Sequence, residues 1–262
     1  MTLTGMNELQ STVPRFSLII PAYNEEAYLP VLLNSVDAAR TCYDGGPDDI
    51  EVVVVDNTSS DATADLARSG GCRVVREDRR VIAAVRNTGA RNARGHVFVF
   101  VDADNIMHPD TFNAIDKSLL TGKVIAGATG VKMQRMSFGI AVTYVLMVPL
   151  VWLTRMDTGV VFCRREDFEA IGGYNEDLLF AEDVQLLWDL MRLGRKQGRK
   201  LSRITSARAI FSTRKFDKHG DWHYLWMTLR LLHGWLFSRS SLDNFVRMYW
   251  YPDQRTKPGQ KL

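Results

Sequence analysis

The sequence predicts an α/β fold, a Rossmann-like and mainly parallel sheet flanked by helices. Two observations predict it. Short apolar runs of the kind buried on both faces of a sheet alternate with segments of helical spacing, and polar residues gather where several of those runs end. Residues 16–21 (FSLIIP) form the first such run, and residues 25–40 place apolar side chains at helical spacing. Residues 51–56 (EVVVVD) read as a second strand, followed by TSSDATADLAR, whose hydroxyl and carboxylate side chains suit a helix start, with Asp61 as a plain capping residue. A short strand at 72–75, a helix over 81–95 stopped by Gly95, and a strand over 96–104 complete the first half. Such an alternation implies right-handed crossovers between parallel strands.

The second half is less regular. Residues 124–134 and 157–165 read as strands, EDFEAIGG as a short helix stopped by glycine, and 181–198 as an amphipathic helix. That last helix is acidic at its start and basic at its end, which complements its dipole. No linker rich in Pro, Gly or Ser divides the chain, and no repeat is present. The expected organisation is one domain over 14–218, with a nucleotide-binding half at 14–105 and an acceptor half at 106–218, then a helical C-terminal extension at 219–262.

Composition excludes several classes. The chain has 262 residues, 46% hydrophobic and 24% charged, with a net charge of +3, so it is neither disordered nor a dedicated nucleic-acid binder. Cys42, Cys72 and Cys163 lie far apart and outside metal-ligand spacing, which fits reduced thiols in a cytoplasmic protein. The first fifteen residues contain no apolar run, so no signal peptide is expected. Residues 138–153 are apolar but too short for a span and interrupted by Pro149.

In an open parallel sheet the ligand crevice lies beyond the carboxyl ends of the strands. Pro21-Ala22-Tyr23-Asn24-Glu25-Glu26, Asp56-Asn57 and Asp102-Ala103-Asp104 all fall there. The tyrosine ring offers a platform for a nucleobase, and Asp56 an acceptor for the imide N–H of a uracil. Asp102 and Asp104, with a ligand's phosphates, suit Mg²⁺ or Mn²⁺. Arg86, in Arg86-Asn87-Thr88-Gly89, is of the type that grips a pyrophosphate with two parallel hydrogen bonds, and Arg79 and Arg80 are weaker candidates. Glu182-Asp183 opens the long helix; such a pair reads either as dipole-favoured carboxylates or as a catalytic base.

PAYNEE, VVVDNTSSDAT, RNTGARNARG, FVDAD and GGYNEDLLFAED occur in this order over residues 16–190. Together they resemble the family-2 glycosyltransferases, inverting sugar-nucleotide enzymes of the GT-A fold. The resemblance implies that the Tyr23 and Glu25 region, with Pro21 and Ala22, and Asp56 hold the nucleoside. It assigns Asp102 and Asp104, around Ala103, to the ribose and the metal-bridged diphosphate. The family's R-N-x-G motif falls on Arg86, Asn87 and Gly89 rather than on Arg91-Asn92. The aspartate of the E-D pair, Asp183, becomes the base, with Glu182 as its support or the alternative base. A late histidine completes the metal shell in some GT-A enzymes, which nominates His219. The Q-x-x-R-W signature of processive synthases is missing, so one sugar per acceptor is expected.

The expected function is therefore transfer of one sugar from a nucleoside-diphosphate sugar, UDP ahead of GDP, to a saccharide or lipid-linked acceptor. The cofactor is Mn²⁺ or Mg²⁺. The alternatives are a metal-dependent nucleotidyltransferase acting on sugar phosphates and a non-catalytic nucleotide-binding protein. Residues 192–218 carry about +9 locally, which suits donor phosphates at Arg214 or Lys215, an anionic membrane surface, or a solvated face. The Trp-rich stretch 222–237 suits either core and homodimer packing or an interfacial helix at the inner face of the membrane.

Overall fold

Phe16, Leu18, Ile20 and Ala22 are buried against one helical layer while Ile19 is buried against the other, so the first strand already requires helices on both faces of its sheet. The computed structural model describes residues 13–143, 145–146, 159–178, 181–214, 217 and 220–222. The elements run β1 (Phe16–Ala22), α1 (Leu29–Thr41), β2 (Ile50–Asp56), α2 (Thr63–Ser69), β3 (Arg73–Arg76), α3 (Ile82–Asn92), β4 (Val97–Phe100), α4 (Thr111–Leu120), β5 (Val124–Met133), β6 (Val161–Arg164), α5 (Arg165–Ala170), α6 (Glu182–Lys196) and β7 (Lys200–Phe211). The sheet order is β3-β2-β1-β4-β6-β5-β7. Pairs β1–β2, β2–β3, β1–β4 and β5–β7 are parallel, and β6 is antiparallel to both its neighbours.

One layer comprises α1, α2 and α4, and the other α3, α5 and α6. In β2, Val52 and Val54 face the first layer while Val53 and Val55 face the second; in β4, Val97 and Val99 oppose Phe98 and Phe100. Burying each such side chain contributes roughly 1.5–3 kcal/mol, which is why these strands read as unbroken apolar runs. In α1 the buried Leu29, Leu32, Leu33, Val36 and Ala39 form the single stripe that the helical spacing predicted.

Several boundaries are corrected. The helix expected from residue 25 begins at Leu29, because Glu25 and Glu26 donate their N–H groups to Thr63 Oγ1 (2.8 Å) and Asp61 Oδ2 (3.2 Å), outside the helix. The strand expected over 96–104 ends at Phe100, and the N–H of Asn105 returns to the carbonyl of Asp102 (3.1 Å) in a turn. Asp61 behaves as expected: Oδ1 accepts the N–H of Thr63, the first residue of α2, at 3.0 Å. The strand β7 was not anticipated. Its charged and small side chains alternate with buried Leu201, Ile204, Ala207 and Ala209, a pattern interrupted by the register shifts against β5. Cys42, Cys72 and Cys163 are free thiols.

Among the described residues no helix is long and apolar enough to cross a membrane. Of the apolar stretch 138–153, residues 138–143 are helical, and residues 147–153 lie outside the described residues. So do His219 and nearly all of the extension, of which residues 220–222 alone are described.

Candidate active site

The chain moves from β1 outward to β2 and β3, then returns through α3 to the other side of β1 to form β4. That reversal opens a crevice beyond the carboxyl ends of β1 and β4. Pro21 to Glu26 leave β1 there, Asp56 closes β2 beside Ala22, and Asp102 to Asp104 leave β4.

The first shore of the crevice is polar and tightly tied. Asp56 is buried, and its Oδ1 accepts the N–H of Ser59 (3.1 Å). Asn57 donates its N–H to the Ala22 carbonyl (2.8 Å) and its amide to the carbonyls of Glu77 (2.6 Å) and Arg79 (2.9 Å). The Arg80 guanidinium lies 3.8 Å from the centre of the Tyr23 ring. Glu25 is held by Arg214 through two hydrogen bonds of 2.7 and 2.6 Å, and the same guanidinium reaches Asp104 Oδ2 at 2.8 Å. Burial pushes the Glu25 carboxyl upward, opposed by Arg214.

The second shore is built around Arg86. Gly89 lets α3 lie close on the sheet: a Cβ there would meet Ile19 Cγ2 and Val55 Cγ2. One turn earlier, Arg86 is buried and spans three carboxylates. It reaches Glu182 Oε1 at 2.5 Å, Asp102 Oδ1 at 2.8 Å and Asp183 Oδ1 at 3.0 Å, with its centre 5.3 Å from the Tyr174 ring. Among the described residues its Nε has no hydrogen-bond partner. Arg86 therefore turns toward carboxylates, and its two terminal nitrogens are occupied by them.

Asn87, the next residue, fixes the loop that delivers the carboxylate pair. It accepts the N–H of Tyr174 (2.9 Å) and donates to the Tyr174 carbonyl and to Glu176 (both 2.9 Å). Gly172 and Gly173 hold left-handed backbone before Tyr174, at φ 82° and 79°. Phe100 meets the Tyr174 ring edge-on at 5.1 Å, and Phe168 packs against both. The Tyr174 hydroxyl then donates to Asp183 Oδ1 at 2.9 Å. Ala181 is left-handed at φ 57° immediately before α6, a conformation costly for a residue with a Cβ. It aims the first turn of the helix at Arg86.

Asp183 is consequently half-buried among charges. Burial pushes its pKa up to about 6, with Glu182 and Asp102 adding to the rise while Arg86 and the Tyr174 hydroxyl oppose it. Sequence reasoning misses this tyrosine as a site residue, although it lies inside GGYNEDLLFAED. The signal available was its place just after two glycines, where an aromatic ring is held by packing.

The structure thus brings the predicted residues into two linked groups: Glu25 with Asp104 through Arg214, and Asp102 with Glu182 and Asp183 through Arg86. Ala103 is buried between the two aspartates. Among the described residues no three His, Cys, Asp or Glu side chains are close enough to hold a metal unaided. Asp102 is 43% exposed, and Asp104 already attracts a cationic group, so the pair suits a hard divalent ion completed by ligand phosphates and water.

The mixed α/β fold, with its mostly parallel seven-stranded sheet flanked by helices, is that of GT-A glycosyltransferases. The chain belongs to glycosyl transferase family 2, whose family model matches residues 17–149. A curated relative is the putative glycosyltransferase EpsH of Bacillus subtilis, 31% identical over 102 residues, which cover 37% of this chain and 28% of that one. A mannosyltransferase from Pyrobaculum calidifontis, solved with GDP-Man and Mn²⁺, is 25% identical at a TM-score of 0.59, covering 76% of this chain and 56% of that one. TarS 1-349 of S. aureus, solved with UDP-GlcNAc, shares the fold at a TM-score of 0.56 and 20% identity, covering 76% and 58%. The chain thus spans less than two thirds of each of these three proteins.

Proposed function

We propose that the protein is an inverting glycosyltransferase that moves one sugar from a nucleoside-diphosphate sugar, with UDP the favoured nucleotide, to an acceptor hydroxyl. The observation that carries this reading is Asp183: a half-buried carboxylate in the first turn of α6, fixed by Arg86 and Tyr174, whose pKa is pushed up to about 6 by desolvation. A base of that strength is suited to proton transfer near neutral pH.

In this reading Tyr23 stacks on the base, Asp56 accepts its imide N–H, and the backbone at Pro21 and Ala22 lines the nucleoside. Asp102, Ala103 and Asp104 face the ribose and diphosphate. Mn²⁺ or Mg²⁺ would be held by Asp104 and Asp102 together with the donor phosphates, and would supply electrostatic stabilisation of the departing diphosphate. Asp183 takes the acceptor proton while the hydroxyl oxygen attacks the anomeric carbon from the face opposite the diphosphate. The bond from that carbon to the diphosphate oxygen breaks, and the configuration inverts. Arg86 keeps Asp183 ionised and aimed, and Glu182 shares that guanidinium. His219 remains a proposed late metal ligand, and 219–262 a proposed separate extension.

The acceptor is proposed to be lipid-linked and to meet the protein at Met136, Phe138, Val145, Leu146 and Trp222. These side chains are exposed, and Phe138 and Trp222 meet edge-on at 6.0 Å. This supports contact with a membrane surface and a lipid-linked acceptor. The test of the function is release of UDP or GDP from a panel of nucleotide sugars, with Mn²⁺ present, by the native protein and by Asp183→Asn with a saccharide or polyprenyl-phosphate acceptor. Acceptor-dependent release by the native protein, cut at least roughly 100-fold in Asp183→Asn, is the expected result. Release of pyrophosphate from a nucleoside triphosphate and a sugar phosphate instead, with a nucleotide sugar formed, would make the protein a nucleotidyltransferase.

A further inference from the structure

Arg214 lies just beyond β7, yet its guanidinium sits between residues that leave β1 and β4. All three of its donor-bearing nitrogens are used: Nη1 and Nη2 on the two oxygens of Glu25, and Nε on Asp104. Its plane also rests 4.9 Å from the Tyr28 ring. The Glu25 and Asp104 side chains are 10% and 13% exposed, whereas that of Arg214 is 32% exposed. The arginine therefore closes the carboxylates from the solvent side.

The backbone that carries it is anchored at both ends. Ser212 and Thr213 are buried, the Arg214 N–H bonds to Ser212 Oγ (3.3 Å), and the Asp217 N–H bonds to the Thr213 carbonyl (3.0 Å). Arg135, after β5, holds Asp217 at 2.7 Å and Asp221 at 2.6 Å. The side chain can thus change partners while its turn stays in place.

We propose that Arg214 is an exchangeable counter-ion of the donor site: it pairs with Asp104 and Glu25, yields Asp104 to a divalent cation, and then grips the donor's diphosphate. The charges favour such an exchange. One guanidinium faces Glu25 and Asp104, with Asp102 close enough to act on Glu25, so negative charge remains uncompensated and a cation is still attracted. A cation on Asp104 competes directly with Nε. A diphosphate arriving with it offers the released fork of N–H groups the planar, bidentate partner that guanidinium fits best. This inference rests on the donor-site reading above.

Two binding measurements test it without turnover. Free Mn²⁺, followed by electron paramagnetic resonance in the absence of nucleotide, should bind Arg214→Met at least about threefold tighter than the native protein, because no guanidinium must be displaced. At saturating Mn²⁺, UDP should bind Arg214→Met at least about tenfold more weakly, the scale of a lost charge-assisted pair. Arg214→Lys, which keeps the charge but not the fork, should lie between the two for UDP. Equal Mn²⁺ affinities in native and Arg214→Met protein would overturn the competition, and equal UDP affinities would overturn the exchange to diphosphate. If the native protein bound neither Mn²⁺ nor UDP, and Asp104→Asn behaved alike, the donor-site reading itself would fall and the inference with it.

Discussion

Around Asp183, burial and charge act in opposite directions. Burial raises the carboxyl's pKa to about 6, while Arg86 and Tyr174 favour its ionised form. Because the proposed base, Asp183, would work only when deprotonated, kcat/KM should fall below about pH 6 and level off above it, which a pH–rate profile checks. Arg86→Met removes a cation that lowers this pKa, so the acid limb should move to higher pH. The same variant leaves Asp102, Glu182 and Asp183 without their shared partner. Stranding the two less exposed of these carboxylates, Glu182 and Asp183, should cost about 1–3 kcal/mol, to be read by chemical denaturation. An unmoved acid limb in a folded Arg86→Met protein would mean that another group titrates. The residue types of this cluster were legible in the sequence as an arginine motif and an E-D pair. Their mutual contact was not, because Arg86 and Glu182 are 96 positions apart and only the fold joins them. For the same reason the arginine reads from sequence as a phosphate ligand, whereas its terminal nitrogens meet carboxylates.

At the scale of elements, α3 decides how closely the two shores approach. Gly89 is the contact point of the helix with β1 and β2, where an added Cβ would meet Ile19 and Val55. Gly89→Val should push α3 off the sheet, cost about 1–3 kcal/mol of stability and displace Arg86 and Asn87 together. Thermal unfolding and donor affinity would both drop; a variant with native stability would show that the helix has room to spare. Strands β1, β2 and β4 were legible because burial on both faces leaves mostly apolar positions, with Ser17 and Glu51 satisfying each other across β1 and β2. The antiparallel β6 was found as a strand, but its direction was not readable, since direction depends on the path of the chain between elements. In β7 the alternation with Arg203, Thr205 and Arg208 disguised a strand as a solvated basic segment.

The whole molecule gathers the Glu25–Arg214–Asp104 group and the Arg86 cluster near the carboxyl ends of its strands, with exposed apolar side chains at 136–146 in the proposed acceptor half. If those side chains meet a bilayer, the protein should co-sediment with anionic vesicles at low salt and release at high salt, since basic groups near such a surface contribute on the order of 1 kcal/mol each. Absence of binding at either salt would favour a soluble acceptor. The convergence of strand-end clusters was foreseeable from the β/α alternation alone, because a parallel sheet brings its carboxyl ends to one edge. The bridging role of Arg214 was not, since its position after β7 depends on a strand the sequence concealed. The most direct test of the account is a crystal structure of the native protein with UDP and Mn²⁺. The account predicts the uracil against Tyr23 and Asp56, the diphosphate and metal at Asp102 and Asp104, and the open side of the diphosphate facing Asp183. Nucleotide bound elsewhere, for example in the cavity of about 440 Å³ beside Phe168 and Tyr174, would contradict it.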